Sequence, residues 1–281
     1  MTDPHGDITP SADTHSPSRR DLIKGTGAGV TLGMLASAFG ALLPEGVDAA
    51  QSARGVDCMT IVYPAGEGIK FDADYYRDHH LKTIMRLYGK TISRFELRKV
   101  APAAAGAPPI PYSAAVNIWI ADLDAFNAAN AKHGPTLVAD VPNFTNSQPT
   151  IQYDKLQGEA GKPRSFPKIG DSCMTILYKN GDDVRWDVDY YAGRTSHEGH
   201  MALIMRLYGP KAISRFELRK GDAGQTPGSK ATWIGSVNIY INSQAAFDAA
   251  GAKHGPTLVK DVPNFSSVNP IAFSTVLHGI G

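Results

Sequence analysis

The stretch Ile92–Lys99 reads ISRFELRK, and the same eight letters return as Ile213–Lys220. Working outward, KHGPTLV at Lys132–Val138 returns at Lys253–Val259, and DVPNF at Asp140–Phe144 returns at Asp261–Phe265. CMTI begins at Cys58 and Cys173, DYY at Asp74 and Asp189, and IMRLYG at Ile84 and Ile204. The copies keep one order and lie about 121 positions apart (Ile92 to Ile213), far too long a period for a solenoid unit and about the size of one small domain. The chain is a duplicated domain.

ISRFELRK also fixes what kind of domain it is. Side chains alternate across a strand, so Phe95 and Leu97 face one way while Arg94, Glu96 and Arg98 face the other. The second copy repeats this with Phe216 and Leu218 against Arg215, Glu217 and Arg219. Around this strand the unit reads β-α-β-β-α-β. Met59 to Tyr63 is an apolar, β-branched strand. Asp72 (Asp187 in copy two) caps a helix with the apolar stripe Leu81, Ile84, Tyr88, ended by Gly89. After ISRFELRK, Ala115 to Ile120 forms a third strand, on which Asn117 and Trp119 (Asn238 and Tyr240) alternate with apolar residues. Asp122 and Ser243 cap a second helix, expected to run to His133 and stop at Gly134, and a fourth strand follows near Thr150 to Leu156. This is the ferredoxin-like split unit. Its sheet has helices on one face only, so two copies can cover each other's bare faces. The expectation is an α+β fold in which two ferredoxin-like repeats form an intramolecular, pseudo-dimeric α+β barrel with a polar interior. The boundaries are 1–49 for a leader, 56–157 for the first repeat, 158–170 for a linker and 171–281 for the second repeat.

The leader carries Arg19-Arg20 in a twin-arginine pattern, a weakly hydrophobic run from Gly25 to Leu43, and an A-x-A-like site at Val47-Asp48-Ala49. It reads as a twin-arginine export signal, which places the mature chain in the periplasm or outside the cell. Its removal takes three basic and six acidic residues with it and leaves a mildly basic chain. No basic run tracks a phosphate backbone, so nucleic acid is not an expected partner, and nothing after the leader is apolar enough to span a bilayer. Cys58 and Cys173 are equivalent positions. They read as small buried apolar residues, or as a bridge if their backbones approach.

The strand MTIVYP, the helix DYYRDHHLKTIMRLYG, the strand SRFELRK and the segment from AFNAANAKHG to DVPNF resemble the EthD family, named for an ether-degradation gene cluster. In copy two the last segment begins AFDAAGAKHG. The resemblance covers both repeats from about Cys58 onward. It implies the dimeric α+β-barrel fold, with one tandem chain supplying both halves, and so a protein that works as a monomer. The family is loosely labelled oxidoreductase, and its barrel group spans several chemistries, so fold alone does not fix the reaction. Copy two departs from the pattern. It reads DYYAGRTSHEGHMALIMRLYG, with residues inserted before its histidine and Gly199 in place of His79.

His80 and His200 are the candidate catalytic groups. Each opens the apolar stretch of its helix, each has a carboxylate two positions earlier (Asp78, Glu198), and the resemblance matches them to a helix histidine bordering the barrel cavity. A neutral imidazole beside an apolar pocket serves as general acid or base near pH 7. The plainer reading is a histidine that packs or bonds to a carbonyl. Arg94, Glu96, Asn117, Trp119, Arg215, Glu217, Asn238 and Tyr240 are candidate ligand contacts facing inward, or ion pairs that satisfy one another. Tyr63 and Tyr178, with Tyr75, Tyr76, Tyr190 and Tyr191, line a pocket or simply build aromatic core. His133 and His254 read as cations at helix C-termini. Copy two does not keep the set His79, His80, Asp74 and Asp78, and one imidazole is unspecific, so neither a metal nor haem is expected. No nucleotide fingerprint or nucleophile elbow occurs. Two functions remain open. One is an enzyme acting on a small apolar or aromatic, oxygenated compound, an oxidoreductase or acid–base catalyst in which the inward Arg and Asn groups assist the histidine. The other is a non-catalytic periplasmic protein that binds such a compound.

Overall fold

The computed structural model describes residues 55–103, 106, 108–161, 167–226 and 228–281. The expected leader at 1–49 and residues 162–166 of the expected linker lie outside them. Each repeat follows the β-α-β-β-α-β order. The first contains β1 (Asp57–Pro64), α1 (Ala73–Tyr75), a π-helical turn (Tyr76–His80), α2 (Leu81–Tyr88), β2 (Ile92–Val100), β3 (Tyr112–Ile120), α3 (Leu123–Asp140) and β4 (Thr150–Ala160). The second contains β5 (Ser172–Lys179), α4 (Val188–Tyr191), α5 (His200–Ala212), β6 (Ile213–Gly224), β7 (Trp233–Ile241), α6 (Gln244–Phe265) and β8 (Ile271–Ile280). The four expected caps form as read: Asp72, Asp187, Asp122 and Ser243 each accept a backbone N–H in the first turn of their helix.

The eight strands close into one antiparallel barrel in the order β1-β3-β2-β8-β5-β7-β6-β4. Within a repeat the first strand sits centrally between the third and fourth. Closure comes from two seams, β4 against β6 and β2 against β8. In the first seam Gly158, Glu159 and Ala160 pair with Leu218, Glu217 and Phe216. The fourth strand therefore runs into the segment expected to be linker, because its last residues have an edge of the other repeat to bond with.

The faces of ISRFELRK sort as their alternation requires. Phe95 and Leu97 lie in the apolar layer under the first-repeat helices, with Met59, Ile61, Ile84 and Tyr88. Phe216 and Leu218 do the same in the second. The other face forms the lumen, where charge is matched across the repeats. Arg94 bonds Glu217, and its guanidinium lies 3.4 Å from the centre of the Trp119 ring. Tyr240 Oη donates to Glu96 Oε2 at 2.9 Å, and Asn238 Nδ2 to Asn117 Oδ1 at 3.0 Å. Arg98 bonds both Glu96 and Asn117. Where β1 and β5 end, Val62 from one repeat meets Leu177, Trp233 and Phe273 from the other in an apolar plug. Cys58 and Cys173 are buried free thiols.

The lumen is not symmetric. Gln152 and Asp154 on β4 have Phe273 and Thr275 as counterparts on β8. Asp154 is buried beside Thr60 and Gln152, and burial pushes its carboxyl up to about 6 against the opposing pull of Arg219. A carboxyl whose pKa is higher folded than unfolded contributes its stability below the unfolded value and loses it as pH rises through about 6. Asp154→Asn should therefore raise stability at pH 7 by an amount on the order of 1–2 kcal/mol and change it little at pH 4. Urea denaturation of both proteins at the two pH values measures this, and equal stability at pH 7 would show that Asp154 is not held against its charge.

Candidate functional site

Both catalytic candidates are buried: His80 is 2% and His200 4% exposed. Neither faces the lumen. Each ring packs between its helices and the outer face of its sheet, His80 at 4.7 Å from Phe144 and 4.8 Å from Tyr76, centre to centre. His200 stands at 4.7 Å from Phe265 and 4.9 Å from Tyr191. The histidines thus border an inter-layer space rather than the barrel cavity that the family resemblance implied. Tyr63 and Tyr178 share their layers. Arg94, Glu96, Asn117 and Trp119, and in copy two Arg215, Glu217, Asn238 and Tyr240, stand across the sheet in the lumen. The sheet separates the two groups, so the inward arginines and asparagines do not assist the histidines.

What holds each imidazole is a residue the sequence reading passed over. His80 Nδ1 lies 2.8 Å from Asp140 Oδ2, and His200 Nδ1 lies 2.7 Å from Asp261 Oδ2. The other carboxylate oxygen of Asp140 accepts from Tyr75 Oη and Asn143 Nδ2, both at 2.8 Å. That of Asp261 accepts from Tyr190 Oη at 2.8 Å and Asn264 Nδ2 at 2.7 Å. The carboxylates expected to serve, Asp78 and Glu198, are turned outward to Arg77 and Arg206. Asp140 and Asp261 reach the histidines because the second helix does not stop at Gly134. It continues through Pro135 to Asp140, and in copy two through Pro256 and Pro263 to Phe265. Proline removes one internal hydrogen bond, yet the apolar face beyond it buries Leu137, Val138 and Val141. His133 and His254 consequently lie within helices and cap no terminus. The DVPNF repeat, whose aspartate bonds the histidine and whose phenylalanine packs on it, was the signal available.

The first helix solves the same placement in two ways. In copy one α1 continues into α2 through the π turn Tyr76–His80, whose extra residue sets the rotation of both Tyr76 and His80. In copy two the helix breaks after Tyr191, the inserted segment intervenes, and His200 restarts it after Gly199. The insertion keeps an outer contact too. Arg77 bonds Asp74 at 2.8 Å and reaches His278 on β8 of the other repeat at 3.3 Å. Arg194, inside the insertion, bonds Asp189 at 2.9 Å and reaches Gln157 on β4, the counterpart of His278, at 3.3 Å. His79 rests on the Tyr75 ring, outside the dyad.

Burial pushes both imidazoles below the ordinary histidine range, against the Asp140 and Asp261 hydrogen bonds that favour the charged form. Burial would raise the two aspartates, but the histidine, asparagine and tyrosine donors outweigh it and hold them below the usual carboxylate range. The resulting pair is a neutral imidazole with its Nδ1 proton directed at a carboxylate. This leaves Nε2 as a lone-pair acceptor, and no hydrogen-bond partner for it occurs among the described residues. His80 lines an internal slot together with Tyr63, Tyr76, Ile84, Phe126 and Leu137. Its free volume, about 10 Å³, admits at most one water.

A histidine with a lowered folded pKa is neutral in both states at high pH. As pH falls below the unfolded value near 6.5, the unfolded chain gains the proton first and stability declines. Stability should fall as pH drops from about 6.5, less steeply in the His80→Gln, His200→Gln double variant. NMR titration should place both rings below that value with Nδ1 protonated. Ordinary titration near 6.5 would count against the buried neutral pair.

No family model and no curated protein matches the chain. Among solved structures, an EthD-like protein from Ralstonia eutropha JMP134 is similar at 29% identity, over 36% of this chain and 90% of its own, with a TM-score of 0.33. A candidate monooxygenase from Fusobacterium nucleatum subsp. nucleatum ATCC 25586 is similar at 7% identity, over 81% of this chain and 94% of its own, with a TM-score of 0.50. The second likeness extends across both repeats and agrees with the strand order: the fold is the dimeric α+β barrel, built here from two repeats of a single chain.

Proposed function

We propose that this chain is an acid–base catalyst acting on a small apolar or aromatic, oxygenated compound, with His80 and His200 as the proton-transferring groups. The observation that carries this reading is the duplicated dyad. The same Asp–His bond, backed by the same tyrosine and asparagine, is built on a continuous helix in one copy and a broken one in the other. Packing alone asks only for bulk at these positions. A carboxylate fixing the Nδ1 tautomer leaves Nε2 as the base, and the imidazolium formed on proton uptake would be stabilised by that carboxylate. The apolar walls suit a substrate with little charge. The motif resemblance to the EthD family supports an enzyme and adds the broader oxidoreductase label.

Proton exchange tests the base without knowledge of the natural substrate. The mature protein is incubated in D₂O with a panel of small aromatic ketones, and NMR follows loss of the α-proton signals. His80→Ala with His200→Ala should slow exchange by roughly 10²- to 10⁴-fold while circular dichroism stays unchanged. The two single variants should differ, because the inserted segment borders only His200. Panel members that bind without exchanging would give precedence to the binding protein.

The leader supports export by the twin-arginine route to the periplasm or beyond, and a chain holding both barrel halves supports action as a monomer. Arg19→Lys with Arg20→Lys should retain the precursor in the cytoplasm. Fractionation with the processed protein still outside the cytoplasm would exclude that route.

A further inference from the structure

One mouth of the lumen is open. There Ser93, Arg94, Glu96, Pro167, Ile280 and Gly281 surround a recess of about 240 Å³. Ile280 gives it an apolar wall and is 43% exposed. One cation borders it: the Arg94 side chain is 11% exposed, so most of it is enclosed while part is reached from outside. Arg94 is short of counter-charge. Among the described residues only its Nη2 is hydrogen-bonded, to Glu217. Glu217 also serves Arg215 at 2.6 Å and Arg219 at 3.6 Å. Glu96 lies 3.3 Å from Arg94 Nε, and it is bonded to Arg98 and Tyr240. Both carboxylates are shared, and neither belongs to Arg94 alone.

The other repeat shows what Arg94 lacks. Its counterpart is Arg215, and the counterpart of Glu96 is Glu217. On β4, Glu159 stands opposite Glu217; on β8, Ile280 stands opposite Glu96 in the matching register. Glu159 bonds Arg215, which therefore holds two carboxylates at once, its own and the shared Glu217. Beside Arg94 the place of the first is taken by Ile280, which brings no charge, and the recess opens there.

We propose that this recess binds a small carboxylate with an apolar body, the carboxylate on Arg94 as that of Glu159 is on Arg215, and the body against Ile280 and Pro167. A hydrogen bond between ions is stronger than one between neutral groups, and an enclosed guanidinium gains most from a counter-charge. Glu96 and Glu217 work against an added anion, but Arg215 already carries two carboxylates in the same surroundings. The volume lies below the roughly 300–1,000 Å³ of drug-sized sites, so it suits a single ring or a short chain. The site is separate from the Asp–His pairs, which lie across the sheet.

Calorimetric titration of the full chain with benzoate tests this, with benzyl alcohol as the neutral ligand of similar size. Benzoate should bind about tenfold or more tighter, and its affinity should fall as salt is raised. Ile280→Glu gives Arg94 a carboxylate of the chain's own and should abolish benzoate binding with the denaturation midpoint kept or raised. Ile280→Gln, of the same bulk without the charge, should retain it. Arg94→Gln should bring benzoate down to the level of benzyl alcohol; if that variant does not fold, the two Ile280 variants decide. The His80→Gln, His200→Gln double variant should bind benzoate as the parent does, whether or not the histidines are catalytic. Benzoate binding no tighter than benzyl alcohol, equal benzoate affinity in Ile280→Glu and Ile280→Gln, or loss of binding in the histidine variant overturns the proposal.

Discussion

Neither repeat can complete its own sheet. Each ferredoxin-like unit ends in a fourth strand with one unpaired edge and a second strand with another. Each also has one face of arginine, glutamate and asparagine that helices do not cover. Backbone groups need partners and buried charges need counter-charges; the open strand edges are met by the other repeat, and the charges partly within a repeat, as Arg98 with Glu96, and partly across. The seams β4–β6 and β2–β8 satisfy the edges, and Arg94 with Glu217 and Tyr240 with Glu96 satisfy the faces. Ion pairs of this kind are poor sources of net stability, but removing one partner leaves an uncompensated charge. The lumen thus specifies which surface meets which.

With the polar faces committed to each other, the Asp–His pairs lie on the opposite side of each sheet. The space between helix and strand is apolar, which is why an imidazole placed there is kept neutral and why a carboxylate brought to it orients rather than merely solvates it. The two aspartates stay partly exposed at the edge of this layer, so the dyad spans the boundary between wet surface and dry interior.

The repeat, the element order, the four helix caps and the in–out assignment of ISRFELRK were legible in the sequence because each depends on local pattern: strict alternation, a capping side chain, a period. The histidines were legible as the polar residues opening an apolar stripe. The aspartates were not, for a specific reason. Gly134-Pro135 is a strong local stop signal, and only tertiary burial of Leu137, Val138 and Val141 carries the helix past it. Ending the helix there put Asp140 in a turn, and the carboxylates nearest in sequence, Asp78 and Glu198, took its place. The separation of the lumen residues from the histidines was equally hidden, since polarity marks a buried-polar face without saying that the face is already full.

The inserted segment ahead of His200 has a consequence for how such a protein changes over time. A barrel assembled from two identical chains carries every substitution twice, so a variation that harms either site harms both. In a tandem chain the halves are inherited separately. One copy here holds a π turn, the other an insertion that rebuilds the same outer clamp with Arg194; one fourth strand carries Asp154, the other Thr275. Selection can hold one half to its original sequence while the other drifts, and the shared lumen keeps the drifting half folded meanwhile.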